Sequence, residues 1–267
     1  RRTVIGATRI EGAPQAALAD GVTATIQLLE LRATADQART AYGLRALHGA
    51  LVEFHKHPGS LRGALLDAEG PHFSFGASVE EHMPAKCAKM LGALHALLVG
   101  MLEFPVPILV AVRGQCLGGG LEVALAAGPV FATPTAQFGQ PEIKLGVFAP
   151  AASVLLPYRV SRPVAEDLLF SGRSISGAEA LANGLVQSLA EDPEAAALAW
   201  FEAHLQERSG AALACALAAS RGQMLVDVRR RLAEVEHLYL ERLMRTHDAN
   251  EGLAAFMEKR PAAWTHR

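Results

Sequence analysis

Cysteine is scarce in this sequence. Cys87, Cys116 and Cys215 are the only three in 267 residues, an odd, widely spaced set in apolar runs that suggests neither a disulfide framework nor a Cys-based zinc site. A reducing cytosol fits, and a cytoplasmic location is expected. Charge is also sparse: 19% of residues are charged, and the formal net charge is -2. Acids and bases are interspersed, so the basic stripe that neutralises phosphates in a nucleic-acid binder is missing, and no nucleic-acid partner is expected. A long uninterrupted hydrophobic run is lacking too. The most apolar region, "LGALHALLVGMLEFPVPILVAV", is split by Glu103, Pro105 and Pro107 into an amphipathic helix and a short strand, so no membrane span is expected. The opening "RRTVIGATRIEGAPQ" has neither the continuous apolar stretch nor the small-residue cleavage site of a signal peptide. Neither low-complexity linkers nor repeats of roughly 20 to 50 residues stand out.

What is present suffices for one large core, because 51% of the residues are hydrophobic. "VTATIQLL", Val22 to Leu29, is β-branched and partly alternating and predicts a strand; the residues after it, to about Lys56, carry apolar positions at helical spacing. "LRGALLDAEG" and "PILVAVRG" predict two more strands, closed by Gly70 and Gly114. After Pro84, the positions Cys87, Met90, Leu91, Leu94, Leu97, Leu98 and Met101 make one broad helical face. Beyond about Pro150 helical patterns dominate apart from "GLVQSLA". Leu225, Val228, Leu232, Val235, Leu238 and Leu243 mark the face of a long helix, with Arg229, Arg230, Arg231 and Glu234 on a solvated side. The organisation expected is one α/β core over 1–200 with an α-helical region over 201–267.

"GQCLGGGLEVALAAG", residues 114–128, reads as a tight turn and a glycine-rich start to a helix near Gly119 or Gly120. Such a start exposes backbone N–H groups at the positive end of a helix dipole and lets a ligand approach closely, which suits an anionic oxygen. It matches neither GxGxxG nor a P-loop, so nucleotide phosphate binding loses its usual support. Glu122 follows within the first turn. A second small-residue loop, Gly76-Ala77-Ser78, offers another N–H, and two such groups from two loops make an oxyanion hole. Glu142, directly after Pro141 in a turn-rich segment expected to be extended, is a second candidate acid. His72, His82 and His95 lack metal-ligand spacing and read as structural, so no metal is expected. Ser74 and Ser78 lack a nucleophile elbow. Cys116 reads as a buried, unreactive thiol.

At these residues the sequence resembles the crotonase superfamily, the enoyl-CoA hydratase and isomerase fold. The resemblance runs in register through "LLDAEGPHFSFGAS", "PVPILVAVRGQCLGGGLEVALAAG", "AQFGQPEIKLGV", "FSGRSISGAEALANGLV" and "HDANEGLAAFMEKRPAAW". It implies a spiral of strand-strand-helix units, a helical C-terminal trimerisation region, and a homotrimer or dimer of trimers. The partner implied is an acyl-CoA thioester, with no cofactor beyond the CoA that the substrate carries. Ala77 and Gly119 would hold the thioester oxygen, a contribution on the order of 3 kcal/mol per donor, and Glu122 and Glu142 would move protons. Phe75, Gly76, Ser78, Gly118, Phe148 and Pro150 would line the acyl group, and Phe256 and Lys259 match positions that contact CoA. The usual Asn-Ala-Leu loop is absent from "LELRATADQARTAYGLRALHG". "HFSFGASVEEHM" and "GQPEIKLGVFAPAAS" are most similar to members that hydrate a cyclic dienoyl-CoA by 1,4-addition during anaerobic breakdown of aromatic rings. Other enoyl-CoA hydration, double-bond isomerisation and a non-catalytic acyl-CoA-binding scaffold stay open as alternatives.

Overall fold

The computed structural model of the protein describes residues 2–5, 28–33 and 61–267. Its first strands are β1 (Arg2–Ile5), β2 (Leu28–Ala33) and β3 (Gly63–Ala68), followed by the helix α1 (Cys87–Glu103). Strands β4 (Ile108–Val112) and β5 (Gln115–Leu117) then lead into α2 (Gly119–Ala126). Strands β6 (Val130–Ala132) and β7 (Gln137–Gly139) lead through a 3₁₀ turn, Pro141–Leu145, into α3 (Pro150–Leu155). The chain continues through α4 (Arg162–Ser171), β8 (Ser174–Ser176), α5 (Gly177–Ala182), β9 (Ser188–Leu189) and α6 (Pro193–His204). It ends in α7 (Gly210–His237) and α8 (His247–Met257).

The repeated unit is strand, strand, helix. In each turn the first strand joins a six-stranded parallel sheet of order β1-β2-β3-β4-β6-β9, and the second joins a smaller sheet of order β5-β7-β8. β4, β5 and α2 make one such turn, and β6, β7 and α3 the next. The turn before them runs from β3 to α1, and Ser74 supplies its second strand as a single parallel bridge to Cys116. This is the α/β spiral expected from the sequence. It stacks the starts of successive helices over one end of the small sheet, which is where the site lies.

Burial explains why these segments form these elements. β3 and β4 are buried throughout, as parallel strands covered on both faces must be, and their sequences are correspondingly near-continuous apolar runs. On one side of the large sheet lies the main core, into which α1 sends Met90, Leu91, Leu94, Leu97, Leu98 and Met101. On the other side Leu65, Leu109 and Phe131 pack against Ala197, Phe201 and Leu205 of the α6 segment.

Three expectations shift. The first strand predicted at 22–29 is observed as β2 at Leu28–Ala33, so residues 30–33 extend it where helical spacing had been read; its register against β3, Leu28 opposite Gly63 through Ala33 opposite Ala68, decides this. The remainder of that strand and the helix expected to about Lys56 lie outside the described residues. β8, too short to show a pattern of its own, exists because it pairs antiparallel with β7. On the long helix the inward series is Val228, Leu232, Val235 and Tyr239, whereas Leu238 is 42% exposed.

Candidate active site

The site is assembled where the Gly76 loop, the start of α2 and the Pro141–Leu145 turn meet. Gly118, just before α2, has φ +52° and ψ −128°, and Gly76 has φ +89°, backbone regions that L side chains rarely adopt. These bends bring the loops together. A Cβ on Gly76 would sit 3.3 Å from the Gly119 nitrogen, and one on Gly119 would sit 3.4 Å from the Ala77 nitrogen and 3.9 Å from Glu122 Oε2. The absence of a side chain at Gly119 therefore keeps open a space bordered by both amides and by a carboxylate. Among the described residues neither the Ala77 nor the Gly119 N–H meets a hydrogen-bond acceptor. The loop geometry is itself fixed: Ser74 Oγ accepts from the Gly76 N–H at 3.1 Å, and the Gly118 N–H donates to the Gly139 carbonyl at 3.0 Å.

Glu122 and Glu142 enter from two sides, 3% and 8% exposed. Glu122 lies on the first turn of α2, and its Oε1 accepts from the Ala152 N–H at 2.8 Å. Glu142 sits on the 3₁₀ turn rather than in extended chain as expected from sequence; Pro141 starts that turn, and Gly146 at φ +73° ends it. A Cβ on Gly118 would lie 2.4 Å from Glu142 Oε1, so this glycine is what admits the carboxylate. Glu142 Oε2 is buried with no hydrogen-bond partner among the described residues.

Burial lifts both acids far above the ordinary carboxylate range. Glu122 is raised to about 7, chiefly by desolvation, against which the Ala152 and Ala151 amides favour its ionised form. Glu142 is raised to about 8 by desolvation and then by the charge of Glu122. The two titrate as a pair, which holds about one proton between pH 7 and 8. Such an arrangement supplies an acid and a base at the same pH, beside amides suited to a developing negative oxygen.

The other sequence candidates are distributed around this centre. Pro150 begins α3, whose next amides serve Glu122, so the wall from Ala149 to Ala152 now has a role in holding that carboxylate. Phe148 is half-buried and meets the ring of Tyr239 edge-on at 5.5 Å. Phe75 is exposed and packs edge-on to His72 at 4.8 Å. Ser78 caps the short 3₁₀ helix Val79–His82 without a side-chain hydrogen bond. Phe256, near the end of α8, and Lys259, just beyond it, are exposed and are not brought to the carboxylate pair; α8 itself packs on the Glu142 turn, where a Cβ on Gly252 would lie 2.1 Å from the Leu145 carbonyl. Cys116 is buried and its thiol pushed well up by desolvation, as expected of an unreactive core residue. Sequence reasoning missed Tyr239. The helical spacing from Val235 reaches both Leu238 and Tyr239, and in the fold it is Tyr239 that is buried.

Known proteins share this arrangement of chain. The cyclohexa-1,5-dienecarbonyl-CoA hydratase of Thauera aromatica is 58% identical over 242 residues, 90% of this chain and 93% of that protein. A probable enoyl-CoA hydratase of Bacillus subtilis is 33% identical over 87% of this chain and 86% of its own length. A crystal structure of an enoyl-CoA hydratase/isomerase from Pseudoalteromonas atlantica has a TM-score of 0.78 at 26% identity, covering 89% of this chain and 96% of that one. Residues 24–267 match the family described as Enoyl-CoA hydratase/isomerase. With residues 24–267 inside that match and relatives 58% and 33% identical over most of its length, this chain belongs to the enoyl-CoA hydratase/isomerase family.

Proposed function

We propose that the protein is a hydro-lyase that adds water to cyclohexa-1,5-diene-1-carbonyl-CoA. The observation that carries the chemistry is the buried Glu122 and Glu142 pair beside the two unengaged amides of Ala77 and Gly119. The ring substrate is favoured by the 58% identity to the Thauera aromatica protein of that name.

The thioester oxygen accepts from both amides. Glu122, ionised and steadied by the Ala152 amide, takes a proton from water as the oxygen attacks C2, the β-carbon of the C1=C2 bond. The electrons pass into a dienolate spread over the thioester oxygen, C1 and C5. Glu142, protonated, delivers its proton to C5, and the double bond settles between C1 and C6. Renumbered, the product is 6-hydroxycyclohex-1-ene-1-carbonyl-CoA, a net 1,4-addition. The pair begins with one proton on Glu142 and ends with one on Glu122, and return of that proton to Glu142, directly or through water, resets the pair for the next turnover.

A cyclic diene puts the protonated carbon across the ring from the attacked one, which suits carboxylates entering from α2 and from the turn after β7. Phe75, Gly76, Ser78, Gly118, Phe148 and Pro150 line the acyl end in this reading. Phe256 and Lys259 hold CoA from a neighbouring subunit, with α7 and α8 packing in a homotrimer or a dimer of trimers. Gly210–Arg245 is long and apolar enough in composition to cross a membrane. We assign its exposed apolar side to subunit contacts, because the exposed arginines Arg229 and Arg230 form ion pairs with Glu103, Asp227 and Glu234 along it. A cytoplasmic place in anaerobic aromatic-ring degradation completes the proposal.

The test is turnover of cyclohexa-1,5-diene-1-carbonyl-CoA and of crotonyl-CoA, with product analysis in D₂O. The expected result is rapid hydration of the diene with deuterium at the carbon opposite the hydroxyl and little crotonyl-CoA turnover; deuterium on the carbon next to the carbonyl would refute 1,4-addition. The pH dependence of kcat/KM, which reports the free enzyme, should be a narrow bell bounded by apparent values near 7 and 8. Activity falls on the acid side when both carboxyls hold protons and on the basic side when neither does.

A further inference from the structure

Tyr239 is a phenol with no solvent exposure, and it bridges the two walls of the site. Its hydroxyl lies 3.1 Å from Nδ1 of His82, the last residue of the short helix that follows the Ala77 loop directly. Its ring meets Phe148, six residues past Glu142, at 5.5 Å. The backbone beneath it is a π-helical turn, Leu238–Arg242, a local departure from α-helix that is uncommon and recurs at functional sites. Tyr239 is the buried residue of this turn, and Met244, in the 3₁₀ turn that follows, is buried as well.

We propose that Tyr239 is a positioning residue of this site: through His82 it fixes the loop that presents the Ala77 amide, and through Phe148 it fixes the wall beyond Glu142. The proposal rests on the reading above, in which Ala77 and Gly119 receive the thioester oxygen. The short helix Val79–His82 has no side-chain cap from Ser78, so its anchor is at its far end, on His82. Burial holds His82 neutral, pushed down to about 4, so its imidazole shares a hydrogen bond with the phenol without acquiring charge. The phenol is held protonated chiefly by burial, and negative charge arising on the neighbouring Cys87, Glu142 or Glu122 would disfavour a phenolate further. Tyr239 therefore works as a fixed, uncharged strut, with Glu122 and Glu142 close enough to act on it electrostatically.

The test uses Tyr239→Phe, which keeps the ring on Phe148 and removes the hydroxyl, His82→Leu, and the double variant. The readouts are kcat and KM for the thioester that the wild type turns over, thermal melting, and the absorption shift of bound p-dimethylaminocinnamoyl-CoA, whose carbonyl polarisation reports the amide pair. Tyr239→Phe should lower kcat roughly tenfold with KM within about twofold and shrink the red shift, because one geometry-setting hydrogen bond is gone. The double variant should be no worse than the worse single one, since both remove the same link. Full kcat and full red shift in Tyr239→Phe would overturn the proposal, as would a melting decrease with both readouts intact in the folded fraction. A wild type that shifts the probe but leaves the cyclic diene untouched would refute the substrate assignment alone. A wild type that binds the probe without any shift would overturn both.

Discussion

Glu122→Gln and Glu142→Gln should each lower kcat for diene hydration by about 10²- to 10⁴-fold, with KM changed only a few-fold, because each removes one half of a proton-transfer pair. The two losses should not multiply. With either member gone the pair no longer holds one proton to pass across the ring, so the double variant should be close to the worse single one. The same variants make an opposite prediction for stability. Unfolded, a glutamic acid titrates near its ordinary value of 4.5, whereas in the fold Glu122 is raised to about 7 and Glu142 to about 8. Between those limits the native state keeps protons that the unfolded state has released. The contribution is therefore most favourable below the unfolded value and is lost as pH rises through the folded ones. Above pH 8 the wild type carries two buried charges, and glutamine at either position removes one. Melting temperatures of the variants should exceed that of the wild type at pH 9 and converge with it near pH 5. A variant equally inactive but destabilised at pH 9 would show that the carboxylate stabilises the fold, contrary to this reading.

Gly118→Ala should displace a carboxylate of the site and strain the backbone at once. At φ +52° and ψ −128° an L residue carries backbone strain of about 1–3 kcal/mol, and its Cβ would fall 2.4 Å from Glu142 Oε1. The carboxylate can escape only by leaving its place opposite Glu122. A displacement of that size in a reacting group costs on the order of 10²-fold in rate, and the strain should lower the urea midpoint as well. Gly92→Ala is the matched control. Gly92 lies within α1, and a Cβ there would meet nothing within 4 Å, so alanine should leave activity unchanged and raise stability by about 0.5–1 kcal/mol. Circular dichroism, urea unfolding and turnover on the two variants check both halves. Wild-type activity in Gly118→Ala would mean that Glu142 has no fixed position to lose.

The elements that were legible from the sequence are those whose pattern is local. "PILVAVRG" could only be a buried strand, and the spacing from Cys87 to Met101 could only be a helix with a broad apolar face; both stand where expected. A triplet of glycines followed by a lone acid in an apolar segment marked the start of α2 and Glu122, a first-turn carboxylate that can complement the helix dipole or face an oxygen held by the exposed amides. The chain itself thus determined which residue types were available for proton transfer and for amide donation, along with the repeat of strand and helix. Other features depend on partners far away in the chain. β8 exists through its pairing with β7, and residues 30–33 are strand through their register on β3. Glu142 lies on a 3₁₀ turn seated against Gly118, and its proton affinity is set by burial and by Glu122, twenty positions earlier. Tyr239 reaches the site from 157 residues beyond His82, and no spacing rule connects them. The sequence determined the reagents; tertiary structure decided their distances and desolvation, because both depend on which remote surfaces the folded chain brings together.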